Sequence, residues 1–141
     1  MKEYLGVKVV HAEPCKGYNN KAVNTANAYP HDAIFVDGYK VVYEDGYSSW
    51  SPKNVFETAY RASIALDATS VPEVKEGSPA YQLRVVEEAK DLQLRTLKLY
   101  VYTMTVDFTM LDREEQVRMK QQLLAMQYYF TVLVERIKNF K

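Results

Sequence analysis

DREEQVRMKQQLLAMQYYFTVLVERIKNF, residues 112–140, is the stretch that decides the fold. Met119, Leu123, Met126, Phe130, Leu133, Ile137 and Phe140 fall at alternating spacings of four and three. That is the heptad pattern of a helix with one apolar stripe. Asp112 precedes it as an N-cap acid with Glu115 three residues on, close to a capping box, and Glu114 and Glu115 oppose the positive end of the helix dipole. Val117, Leu124, Tyr128 and Val132 widen the apolar face beyond what one partner helix of similar length covers. The stretch therefore predicts a helix buried against other helices, with a dimer or higher oligomer as the expected state.

Upstream, Pro79 to about Thr103 predicts a partner helix. Val85, Ala89, Leu92 and Leu99 share one face, and Leu94, Leu97, Val101 and Met104 make a second, overlapping one. Residues 79–141 thus read as an antiparallel helical hairpin. Ser78-Pro79 repeats an earlier Ser51-Pro52 pair, and each is read as a helix start with Ser as N-cap and Pro at the first helical position. Residues 62–78 carry Ser, Thr, Pro, Glu and Gly with little periodicity and read as a linker or surface strap.

Residues 1–61 read as a small β-rich module with one short helix. Tyr4 to Val10 has strand composition, Ala12 to Asp37 looks like a long loop, and Gly38 to Tyr43 is a second strand. Asp45-Gly46 is a tight-turn signal, and Tyr47 to Trp50 is the returning strand. A short helix follows, with Val55, Phe56, Ala59 and Tyr60 as its apolar face. The fold class expected is α+β: a small N-terminal β module followed by a C-terminal hairpin that oligomerises.

Composition narrows the function classes. A chain of 141 residues with 48% hydrophobic content builds a real core. No apolar run reaches the roughly 20 residues that span a membrane. A secretory signal is not expected at Met1 to Gly6, and the single cysteine, Cys15, forms no intrachain disulfide. A soluble intracellular protein is the expectation. Net charge is zero, with 8 basic and 10 acidic residues in residues 1–80 and 10 basic and 8 acidic after them. Neither half suits a duplex nucleic-acid binder that works by counterion release.

Catalytic signals are thin. His11 and His31 have no metal-ligand spacing, and Cys15 beside Lys16 has no evident base. Glu87-Glu88 and Glu114-Glu115 sit where carboxylates oppose helix dipoles. There is no phosphate-cradling glycine loop and no dinucleotide fingerprint. No enzyme, no metal and no cofactor is expected.

Binding signals are stronger. Twelve tyrosines offer flat faces with polar tips. Trp50 lies where a strand meets a helix start, and Tyr47, Trp50 and Tyr60 with Lys53 and Arg61 are read as an aromatic and cationic cluster that suits an adenine and its phosphates. On the hairpin, Arg84, Arg95 and Lys98 lie on the first helix and Arg113, Arg118 and Arg136 on the second, and in an oligomer arginine forks from neighbouring protomers can converge on phosphate. Tyr100 and Phe108 flank the bend as stacking faces. The candidate ligand set is Tyr47, Trp50, Arg61, Tyr100, Phe108, Arg113, Arg118 and Arg136.

Gly38-Tyr39 through Tyr43, Asp45-Gly46-Tyr47, Ser49-Trp50-Ser51-Pro52-Lys53, Val55-Phe56-Glu57 and Ala59-Tyr60-Arg61 resemble a motif recurrent in small bacteriophage proteins. Leu97, Tyr100, Phe108, Leu111, Glu115-Gln116, Gln122-Leu123, Met126, Tyr129, Leu133 and Arg136-Ile137 resemble the C-terminal hairpin of related phage proteins. Together these features resemble the Thoeris anti-defence family of phage sponge proteins, whose hairpin is shared with anti-CBASS sponges. That resemblance implies a protein in the host bacterial cytoplasm that binds a cyclic nucleotide immune signal and sequesters it without cleavage. Glycocyclic ADP-ribose is the implied ligand, with cyclic di- or trinucleotides in some members, and the implied assembly is a homodimer or homohexamer. The alternative reading is a phage protein-interaction module whose hairpin docks onto a host protein.

Overall fold

The computed structural model describes residues 1–141. The chain divides into two compact units, one formed by Lys8–Arg61 and the other by Met1–Val7 with Ala62–Lys141. The class is α+β, with an antiparallel β module first and a helical region after it.

The β module holds four strands, β1 (His11–Tyr18), β2 (Lys21–Ala22), β3 (Val36–Val42) and β4 (Ser48–Pro52), in the order β2-β1-β3-β4, all antiparallel. The β3–β4 hairpin forms as the Asp45-Gly46 pair predicts. Gly46 has φ +85°, the Tyr43 N–H donates to the Tyr47 carbonyl at 2.8 Å, and the Tyr47 N–H donates to the Asp45 carboxylate at 3.0 Å.

Two expectations about the first strand are overturned. Tyr4 to Val10 forms no strand, because the β1–β3 ladder ends at His11 opposite Val42 and the partner chain turns away immediately afterwards. β1 lies instead inside the stretch read as loop. Its sequence, HAEPCKGY, has little strand propensity, and pairing with β3 holds it extended. Pro14 is tolerated there because two-residue β2 pairs only with Gly17 and Tyr18, leaving the other side of β1 open at Pro14. The β1–β2 turn is made by Asn19 and Asn20, both at positive φ (47° and 59°), as a primed two-residue turn requires.

The helix α1 (Lys53–Ala59) follows β4 directly. Of its expected apolar face, Phe56 stacks on Tyr39 at 4.4 Å between ring centroids and on Tyr60 at 5.0 Å, whereas Val55 and Ala59 remain exposed. The Ser-Pro pairs work differently from expectation. Pro52 and Pro79 are themselves the N-caps, with ψ near 145°, and no side chain caps either helix. The Ser51 and Ser78 hydroxyls donate to carbonyls, those of Pro52 and Lys75, and so do not accept from the helix.

The second unit is a helical hairpin of α2 (Ala80–Tyr102) and α4 (Arg113–Lys138), joined by a bend that contains the one-turn helix α3 (Val106–Thr109). Asp112 caps α4 as predicted, accepting from the Glu115 N–H at 2.8 Å. Val85, Val86, Ala89 and Leu92 of α2 share the core with Phe130, Leu133, Val134 and Ile137 of α4. Residues 62–78 close this core as a strap that contributes Leu66 and Val71. The Gln93 amide donates to the Leu66 and Thr69 carbonyls, each at 2.6 Å, and ties the strap down. Of the second apolar face expected on α2, Leu97 packs against the core, whereas Leu94 is 61% and Val101 59% exposed, as is Met104 at 67% in the bend.

Two substitutions test this account by urea unfolding. Phe130→Ala empties the centre of the hairpin core, and a loss of about 3–5 kcal/mol is expected. At Gly38 a Cβ would run into the Ser51 carbonyl oxygen and the Trp50 ring. Gly38→Ala is therefore expected to destabilise the β module by about 1–3 kcal/mol.

Candidate functional site

Strand parity decides what the β module presents. Side chains alternate across a strand, and the register pairs Lys40 with Trp50 and Tyr39 with Ser51. Trp50 therefore lies on one face of the sheet, with Gly38 and Gly17. Tyr39, Val41, Tyr43 and Tyr47 lie on the other, where Tyr43 and Tyr47 stack at 5.7 Å and Lys8 sits 4.7 Å over the Tyr43 ring. The expected cluster of Tyr47, Trp50 and Tyr60 is thus split between two faces. Tyr60 belongs to the Phe56 stack, and Arg61 follows it as an exposed residue at the end of the unit.

Trp50 itself is held firmly. Its Nε1–H donates to the Cys15 carbonyl at 2.9 Å, and its benzo ring lies against Gly17 and Gly38, where any Cβ would collide with it. The half-buried indole forms part of the wall of a cleft of ≈ 580 Å³. Asn19, Asn20, Asp32 and Ile34 line the same cleft. Sequence reading missed these four; consecutive asparagines after Tyr18 were the available sign of a turn, but nothing local linked them to Trp50.

On the hairpin, Phe108 is 3% exposed, meets Tyr102 edge-on at 6.0 Å and has Lys120 5.8 Å above its ring. It packs the bend and presents no open stacking face. Tyr100 stays partly exposed on α2. Arg118 is paired with Glu115 at 2.8 Å, and Arg95 with Asp91 at 3.0 Å, both on the surface, where such pairs add little stability. Arg113 opens α4 and Arg136 lies in its last turn. At 1.5 Å per residue they stand about 35 Å apart along the helix, so one hairpin cannot bring them to a single ligand. A second cleft, ≈ 520 Å³, lies between the strap and the end of the hairpin, lined by Gln82, Ile137, Lys138 and Phe140 among others. The Tyr129 hydroxyl donates to the Glu88 carboxylate and bridges α4 to α2.

No group of three or more His, Cys, Asp and Glu side chains comes together as a metal ion would require. No helix is long and apolar enough to cross a membrane. The Asp37 carboxyl and the Tyr39 phenol of the β module are displaced from their ordinary values. The Lys16 ammonium, 2.5 Å from the Asp37 carboxylate, holds that carboxyl below its ordinary range. The contribution of this pair is present above the ordinary carboxylate range and fades as pH falls through the lowered value. The Tyr39 hydroxyl donates to Glu57 at 2.7 Å, and this bond raises the phenol above its ordinary value of 10.0. Here the contribution is complete below the ordinary value and fades as pH rises through the raised one. Glu57→Ala is expected to return Tyr39 to the ordinary phenol range, read from the ring Cζ signal in an NMR pH titration. An unmoved midpoint would refute that assignment.

Comparison with known proteins places one boundary on identity. No curated protein and no solved structure matches the chain. A family model described as Sequestin matches residues 79–139, which span α2, the bend and α4. The hairpin, and not the β module, is the part of this chain that is similar to the Sequestin family.

Proposed function

We propose that this chain is a phage anti-defence protein that binds a cyclic nucleotide immune signal, glycocyclic ADP-ribose first among candidates, and sequesters it without cleavage in the host cytoplasm. The observation that carries the reading is the match of residues 79–139 to the Sequestin model, a family whose name denotes sequestration. The match agrees with a binding role for the hairpin. The finer identity of the ligand rests on the resemblance to Thoeris anti-defence sponges.

The geometry supports an assembly of copies. Arg113 and Arg118 stand near the bend and Arg136 near the open end of the hairpin. Antiparallel association of two hairpins brings the bend of one beside the open end of the other, so arginines too far apart in one chain become neighbours across two. Leu94, Val101 and Met104 supply an apolar surface for that contact. A homodimer or homohexamer then builds its ligand sites between protomers, with Tyr100 at their edge.

The test is calorimetry against glycocyclic ADP-ribose and a panel of cyclic oligonucleotides. A saturable heat is expected, with ligand recovered intact by mass after the complex is heated. Arg118→Ala, a surface change with little cost to folding, is expected to weaken binding roughly 10- to 100-fold, as loss of a charge-assisted hydrogen bond does. Recovery of cleaved ADP-ribose would make the protein an enzyme. Silence across the panel, with a monomer by light scattering, would favour the protein-docking module.

A further inference from the structure

The Trp50 cleft belongs to the β module, which the Sequestin match leaves uncovered. Its chemistry differs from that of the arginine-bearing hairpin. Asp32 is the one charged side chain among its lining residues; no lysine or arginine lines it. A phosphate would meet a carboxylate there and no compensating cation. The lining therefore disfavours an anionic ligand.

The remaining features define the shape and edge of that ligand. Trp50 is fixed in orientation by its bond to the Cys15 carbonyl and by the close approach of Gly17 and Gly38, so its ring is a preorganised stacking surface. Asn19 and Asn20 line the cleft from a turn whose backbone is locked at positive φ. An asparagine amide offers a donor and an acceptor side by side, the pattern that pairs with the N6/N7 edge of adenine. Asp32 adds an acceptor for a ribose hydroxyl or an exocyclic amine. A volume of ≈ 580 Å³ falls within the size range of small-molecule sites.

We propose that this cleft is a binding site for an uncharged purine nucleoside, stacked on Trp50 and read at its edge by Asn19 and Asn20. The site acts independently of any ligand held by the hairpin.

Trp50 is the only tryptophan in the chain, so its fluorescence reports this cleft alone. The 141-residue chain is titrated with adenosine, with ribose 5-phosphate, with inorganic phosphate and with a proline-rich peptide. Saturable quenching by adenosine is expected, and none by the two phosphates. Asn20→Gly removes the amide while keeping a residue that accepts positive φ, and it is expected to weaken adenosine about five- to tenfold with an unchanged circular dichroism spectrum. Arg118→Ala is expected to leave adenosine quenching unchanged, which separates failure of this proposal from failure of the hairpin reading. No quenching by adenosine, equal affinity in Asn20→Gly, competition by either phosphate, or quenching by the peptide alone would each overturn the proposal.

Discussion

Ala89 of α2 and Phe130 of α4 both have no exposed surface, and they share one core. The hairpin depends on this seam. Helices of 23 and 26 residues are joined by a bend short enough to force them antiparallel. Thr105 caps α3 inside that bend, and the Gln116 side chain donates to the Leu111 carbonyl, so the reversal is fixed locally. Once Ala89, Leu92, Phe130 and Leu133 face inward, helical geometry dictates every other surface. One flank receives the strap, with Leu66 and Val71 entering the core and Gln93 closing over it. The Leu94, Val101 and Met104 strip has nothing left within the chain to cover it.

Much of this was legible because it is local. The four-three stripe of α4, its Asp112 cap and the extent of α2 all depend on residues within a turn or two of each other, and the structure follows them closely. The β module was legible where a turn signal is local, at Asp45-Gly46. It was not legible at β1, whose partners lie from 19 residues (Gly17 with Val36) to 31 residues (His11 with Val42) away and whose own residues carry no strand signal. Tyr4 to Val10 had the better propensity but no strand opposite it. Propensity proposed and pairing decided.

The candidate site failed to be legible for a related reason. Tyr47 and Trp50 are three residues apart, and in a strand an odd separation puts two side chains on opposite faces. That parity is easy to state once β4 is known, but only the register with β3 fixes which residues join Trp50. Those residues, Gly17 and Gly38, have no side chains to draw attention. Phe108 shows the converse: an aromatic residue near a bend reads as a stacking face, yet the bend itself needed an apolar plug, and Phe108 fills that role against Tyr102.

Charge then separates what the two units can hold. The hairpin's arginines are already paired in part, Arg118 with Glu115 and Arg95 with Asp91, so an anionic ligand must compete with carboxylates for them. On the surface this competition is inexpensive, because an exposed ion pair contributes little. It becomes favourable when a phosphate engages several guanidinium forks at once, and the spacing of Arg113, Arg118 and Arg136 denies that within one chain. On the proposed reading, affinity for an anionic signal is therefore tied to assembly: a lone hairpin offers scattered single contacts, and copies packed through the apolar strip would gather several of them. The Trp50 cleft follows the opposite rule. Its walls come from one module, its ring is preorganised and its one charged lining residue is a carboxylate, so the site proposed there calls for neither a second copy nor an anion.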